Sequence, residues 1–131
     1  MSGARVLVVD DEAYVTHVLS QFLVRAGYAV RTASNGEQAL ALLETCDADV
    51  LITDVQMPRL GGRELVAAVA SRFPRPDRLV LVMTSRTDRD LRAWACSVEN
   101  ADFLEKPVSP RRVVARLAEH FAVAEVCSDE P

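Results

Sequence analysis

No run of apolar residues in this chain approaches the roughly 20 that a membrane-spanning helix needs. The residues before the first apolar run, Met1-Ser2-Gly3-Ala4-Arg5, carry no hydrophobic region of the signal-peptide kind. The expected location is cytoplasmic, with no membrane partner. Cysteine is scarce. Cys46, Cys96 and Cys127 are odd in number and form no CxxC pair, which fits reduced thiols rather than a disulfide framework or zinc site. His17 and His120 stand apart, as surface or packed histidines do. A basic excess is also missing: 15 Lys+Arg face 19 Asp+Glu, for a formal net charge of −4, so direct nucleic-acid binding is not expected.

What the chain does have is repetition of one local pattern. Arg5-Val6-Leu7-Val8-Val9-Asp10 is a continuous apolar run bounded by charge, as in a central parallel strand covered on both faces. After Glu12 the period changes. Val15, Val18, Leu19, Phe22 and Leu23 form one helical stripe, which Gly27 ends. Tyr28 to Ala33 alternates and carries Arg31, which suggests a sheet edge. Ser34-Asn35-Gly36 turns the chain into a short helix over Glu37 to Thr45.

Val50-Leu51-Ile52-Thr53-Asp54 is the strand around which the chain is organised, and its loop runs through Met57-Pro58 to Gly61-Gly62. Leu65, Val66, Val69, Ala70 and Phe73 mark a third helix, stopped by Pro74 and Pro76. Leu79 to Met83 is another buried strand, ending on Thr84-Ser85. A fourth helix is expected from about Thr87 to Ser97, carrying Leu91, Trp94 and Ala95. Asp102 to Glu105 is a short last strand. Ser109 and Pro110 then open the final helix, with Val113, Val114, Leu117, Ala118 and Phe121 as its stripe. The expected domain is 1–121, with 122–131 a flexible tail or the start of a linker.

Strand and helix thus alternate five times, which predicts an α/β doubly wound parallel sheet with five helices. In such sheets the ligand lies beyond the carboxyl ends of the strands. Those ends present Asp10 and Asp11, Asp54, Thr84 and Lys106. Each alone has an ordinary role, as helix cap, turn acid or surface lysine. Together they put three acids, a hydroxyl and an ammonium into one crevice. Two carboxylates about 4 Å apart repel by roughly 4 kcal/mol at an effective dielectric near 20. Either a carboxyl holds its proton or a cation binds. Oxygen ligands favour a small hard cation, and magnesium fits one or two carboxylates plus phosphate oxygens. A carboxylate can also be a nucleophile toward phosphorus, and phosphoryl transfer is mostly positioning and charge stabilisation. These residues therefore point to a magnesium site at which Asp54 is phosphorylated.

At this point the sequence resembles the response-regulator receiver domains of two-component signalling, over about Arg5 to Phe121. The likeness rests on Val8-Val9-Asp10-Asp11-Glu12, on Asp54-Val55-Gln56-Met57-Pro58 with Gly62, on Thr84-Ser85, and on Asp102-Phe103-Leu104-Glu105-Lys106-Pro107. The resemblance implies a flavodoxin-like five-stranded sheet of order 2-1-3-4-5. It implies that Asp54 is the phosphoacceptor. Asp11, Asp54 and the Gln56 carbonyl would bind Mg2+ directly, with Asp10 acting through a metal-bound water. Thr84 would be the switch hydroxyl, Lys106 the phosphate-pairing lysine, Lys106-Pro107 a cis peptide, and Phe103 the aromatic that moves inward with Thr84. The phosphodonor would be a sensor histidine kinase or a histidine phosphotransfer protein. The protein would be no enzyme beyond self-phosphotransfer and autodephosphorylation.

Phosphorylation would then change the surface of the fourth predicted helix, last strand and last helix, and so control an output partner or output domain. That surface carries Arg89, Arg92, Arg111, Arg112 and Arg116. It is either a solvated face, a site for an acidic partner, or the contact of a phosphorylation-dependent homodimer. Val108 stands where dimerising DNA-binding members usually have phenylalanine, and Asn100-Ala101 where Gly-Ala is usual. Other classes fit less well. A haloacid-dehalogenase-type phosphatase needs Asp-x-Asp after its first strand, and an FMN binder needs a phosphate loop without three acids. A receiver-like docking domain that takes no phosphate is the remaining alternative.

Overall fold

The structure is a computed structural model that describes residues 4–57, 60–84, 93–94 and 101–129, with side chains as far as residue 122. The apolar runs form strands β1 (Arg5–Val9), β2 (Ala29–Ala33), β3 (Val50–Asp54), β4 (Leu79–Thr84) and β5 (Ala101–Glu105). Between them lie α1 (Ala13–Arg25), α2 (Gly36–Thr45) and α3 (Gly62–Arg72), and α4 (Pro110–Asp129) follows β5. The five strands pair in the order β2-β1-β3-β4-β5, and all the pairings are parallel. This is the expected order.

The expected count of five helices is corrected. Among the described residues there are four. The span expected for the additional helix, roughly 87–97, lies outside the described residues except for Ala93 and Trp94, which are helical. Its apolar stripe is only Leu91, Trp94 and Ala95, and so short a stripe specifies a helix weakly. Ser85, Arg86, Arg89, Arg92, Asn100 and Pro58 also fall outside the described residues.

Alternate side chains of each central strand enter two separate cores, one on each face of the sheet. Leu7, Val9, Leu51, Val80 and Val82 pack with Ala39 and Leu43 of α2 and Leu65, Val66 and Val69 of α3. Val6, Val8, Val50, Ile52, Leu79, Leu81 and Met83 pack with Leu19 and Leu23 of α1 and Val113 and Leu117 of α4. A strand buried on both faces has no need for polar alternation, which is why β1, β3 and β4 read as unbroken apolar runs. Gly27 ends α1 at a φ of 101°, a conformation few residues but glycine adopt without strain. Asn35 caps α2 by accepting from the Gln38 amide at 2.8 Å.

The amino ends of the strands are closed by a charge network. Arg78, on the threshold of β4, is buried. It donates to the Ala48 carbonyl at 3.0 Å and the Phe73 carbonyl at 2.7 Å, and it pairs with Asp47. Asp49 accepts from the Arg5 backbone amide at 2.8 Å and pairs with Arg75 at 2.8 Å. Burial pushes the Asp49 carboxyl up, but the Arg5 amide and the Arg75 guanidinium outweigh it and hold it below the ordinary value. A carboxyl with a depressed folded-state pKa contributes stability above its unfolded pKa of about 3.9, and that stability is lost as pH falls through the folded value. Asp49→Asn is therefore expected to be less stable than wild type in urea denaturation at pH 7. The two should converge as pH falls through the folded-state value, and a gap independent of pH would contradict the assignment.

Candidate functional site

The carboxyl ends of the same strands are open and unsaturated. Each functional side chain sits at a strand tip or one step past it, and ladder hydrogen bonds fix the backbone there. The Asp10 amide donates to the Ala33 carbonyl at 3.1 Å, extending the β1–β2 pairing. Asp54 is the last residue of β3, opposite Met83, and the Val55 amide donates to the Met83 carbonyl at 3.1 Å. Thr84 is the buried last residue of β4, opposite Glu105, and its carbonyl accepts from the Lys106 amide at 2.7 Å. The tips therefore move only if the sheet moves.

These placements bring Asp10, Asp11 and Asp54 together, with one carboxylate oxygen from each lying within 4.8 Å of the others. Asp10 and Asp54 are buried and Asp11 is exposed. Lys106 reaches across from beyond β5. Its Nζ donates to Asp54 Oδ2 at 3.1 Å and lies 3.0 Å from Asp10 Oδ2. A third carboxylate, Glu12, accepts from the same ammonium at 3.3 Å. The Lys106-Pro107 peptide is cis, as the resemblance implies. The Gln56 amide faces Asp54 Oδ1 at 3.4 Å, and Phe103 packs at the margin of the core that holds α2 and α3.

Burial pushes the Asp10 carboxyl up from its ordinary value, and the charge of Asp54 adds to this; the Glu12 amide and Lys106 pull it down and lose. Burial pushes the Lys106 ammonium down, but Asp10 and Asp54 more than reverse that and hold it above its ordinary value. The ammonium is thus a permanent cation among more carboxylates than it can neutralise.

The donor set fits a divalent ion. Among the described residues, buried Asp10 Oδ2 meets only the Lys106 ammonium, 3.0 Å away. A buried carboxylate oxygen needs water or a cation, and one ammonium is here divided among three carboxylates. Hard carboxylate oxygens, one of them exposed, suit magnesium, which keeps several waters.

Gly62, read in the sequence as a turn residue and part of the motif after Asp54, has a packing role in the site. A Cβ on Gly62 would lie 2.3 Å from the Asp54 carbonyl oxygen and 2.8 Å from Val55 Cα. The Gly62 amide donates to the Val55 carbonyl at 2.9 Å. The start of α3 is thus pressed onto the backbone of the strand tip. The signal was a glycine at fixed distance after Asp54, but contact with Asp54 itself needs the third dimension.

The comparisons with known proteins give the family. The family described as "Response regulator receiver domain" matches residues 6–118. The chain belongs to that family. It is 35% identical over 116 residues to the alkaline phosphatase synthesis transcriptional regulatory protein PhoP of Bacillus subtilis, covering 86% of this chain and 46% of that protein. It is 32% identical over 117 residues to the phosphate regulon transcriptional regulatory protein PhoB of Pseudomonas aeruginosa, 89% of this chain and 51% of that one. The chain therefore spans about half the length of these curated relatives.

Among solved structures, the Vibrio cholerae chemotaxis protein CheY4 superposes with a TM-score of 0.82 at 33% identity, covering 90% of this chain and 98% of that one. A CheY-like receiver domain protein of Methanospirillum hungatei gives 0.84 at 25% identity, over 95% and 98%. As a receiver domain, the chain is a phosphoryl-accepting signalling switch, not a turnover enzyme.

Gly62→Ala is expected to destabilise the fold by about 1–3 kcal/mol through this overpacking. It should also weaken magnesium binding, read by calorimetric titration. Unchanged stability and affinity would show that the contact relaxes freely.

Proposed function

We propose that Asp54 takes a phosphoryl group from a sensor histidine kinase or histidine phosphotransfer protein in the cytoplasm. Mg2+ would be held by Asp11, Asp54 and the Gln56 carbonyl, with Asp10 acting through a bound water. The observation that carries this reading is the 3.1 Å contact of Lys106 Nζ with Asp54 inside the three-carboxylate cluster. An Asp54 oxygen forms the new P–O bond while the donor's N–P bond breaks and the imidazole nitrogen leaves with the electron pair. When bound, magnesium supplies charge neutralisation between Asp54 and the incoming phosphoryl oxygens. Lys106 exchanges its carboxylate partner for a phosphoryl oxygen, as a point charge on a flexible stem can.

The Thr84 hydroxyl donates to another phosphoryl oxygen, and Phe103 follows it inward. A local charge event thereby biases a two-state element. The surface that changes includes β5 and α4, where Arg111 and Arg112 are exposed and Arg116 pairs with Asp102 at 2.7 Å. An acidic output partner or a second copy of the chain is the proposed reader of that surface. An output domain joined to this one is the other reader we propose.

Incubation with acetyl phosphate and magnesium, read by intact mass, tests the assignment. Wild type should gain a phosphoryl adduct, and Asp54→Asn should gain none. No adduct should form when the metal is chelated before the acetyl phosphate is added. No adduct on wild type from acetyl phosphate or from any histidine kinase would favour a docking domain that takes no phosphate.

A further inference from the structure

Glu12 occupies the N-cap of α1, where a side-chain oxygen ordinarily accepts from a free backbone amide of the first turn. The Glu12 side chain makes no such bond. It reaches instead to Lys106, across 94 positions of sequence, with Oε1 accepting from Nζ at 3.3 Å. The ammonium therefore serves three carboxylates: Asp10 and Asp54 at the strand tips, and Glu12 on the rim, whose side chain is 63% exposed. Glu12 and Lys106 also line one open groove, with Tyr14, Val18 and Pro107.

We propose that Glu12 is a positioning residue for Lys106, drawing the ammonium back from Asp54 and so slowing phosphoryl transfer from a small anionic donor. The inference rests on the reading of Asp54 as the phosphoacceptor. Transfer needs the ammonium on a phosphoryl oxygen as the charge on the group shifts. A carboxylate 3.3 Å away competes for it. The same carboxylate repels an anion entering the groove, so both effects slow the reaction. Because the pair is exposed and screened, removing it should change the rate by about two- to fivefold and no more.

The test uses the full chain as wild type, Glu12→Gln and Glu12→Asp, with acetyl phosphate at saturating magnesium and low salt. An Asp54 oxygen forms the P–O bond as the P–O bond to acetate breaks and acetate leaves with the electron pair. Glu12→Gln should raise the initial rate of adduct formation by about two- to fivefold, an advantage that shrinks in about 0.5 M salt. Magnesium titrated alone should bind the same variant more weakly, because a neighbouring anion is lost and the freed ammonium turns to the metal-binding acids. A merely structural role would lower rate and affinity together.

Glu12→Asp keeps the charge but shortens the reach. It loses the contact with Lys106 but keeps the repulsion of the donor, so its rate should lie between wild type and Glu12→Gln, and if it matches wild type the action through Lys106 is disproved. A Glu12→Gln rate no higher than that of a wild type that does take phosphate sinks this proposal alone. A wild type that takes none sinks the Asp54 assignment as well.

Discussion

The structure depends on keeping carboxylates of like charge close together at the tips of buried strands. At the separations of this cluster the carboxylates repel one another, most strongly where they are buried, as Asp10 and Asp54 are. Lys106 offsets part of this through ion pairs with Asp10 and Asp54 at 3.0 and 3.1 Å. The rest is carried by the two cores, because the tips cannot separate without breaking β1, β3 and β4 out of fully buried surroundings. The fold thus holds in place an arrangement that is unfavourable until a cation arrives, and that makes the site responsive to one.

The two ends of the sheet show how a structural charge cluster differs from a functional one. At the amino ends, Arg78 is buried as Asp10 and Asp54 are, yet its guanidinium meets two carbonyls and a carboxylate. At the carboxyl ends, one ammonium is divided among Asp10, Asp54 and Glu12, and among the described residues Asp10 Oδ2 has no partner beyond that ion pair. Buried carboxylates so thinly paired at a charged site point to a ligand. Burial alone does not separate the two clusters; the state of their hydrogen bonds does.

Much of the architecture was legible in the sequence because a strand covered on both faces leaves an unbroken apolar run. Each such run ended on a residue of the site, so Asp10, Asp54 and Thr84 could be placed from one dimension. Lys106 was legible by its position after the last strand. The weakest runs gave the weakest expectations. The additional helix rested on three apolar positions, and the described residues contain four helices rather than five. Glu12, Gly62 and Arg78 escaped for another reason. Their roles are contacts across the fold: with Lys106, with the Asp54 backbone, and with the Ala48 and Phe73 carbonyls. No local pattern encodes such a contact, since the same residues would serve equally as a cap, a turn and a surface charge.

The site is also held unevenly. On one side Gly62 lets the start of α3 press against the Asp54 carbonyl, so that part of the loop has no room to yield. On the other side the ammonium of Lys106 sits on a flexible stem between three carboxylates, and its position is set by charge rather than by packing. Charge placed on Asp54 therefore meets a rigid wall and a movable cation. The cation yields first. Its backbone amide, by contrast, is bonded to the Thr84 carbonyl, so the residue that carries the movable cation is itself anchored at the junction of β4 and β5. Asp54 thus faces a cation that can change partners while the backbone beneath it stays in the ladder.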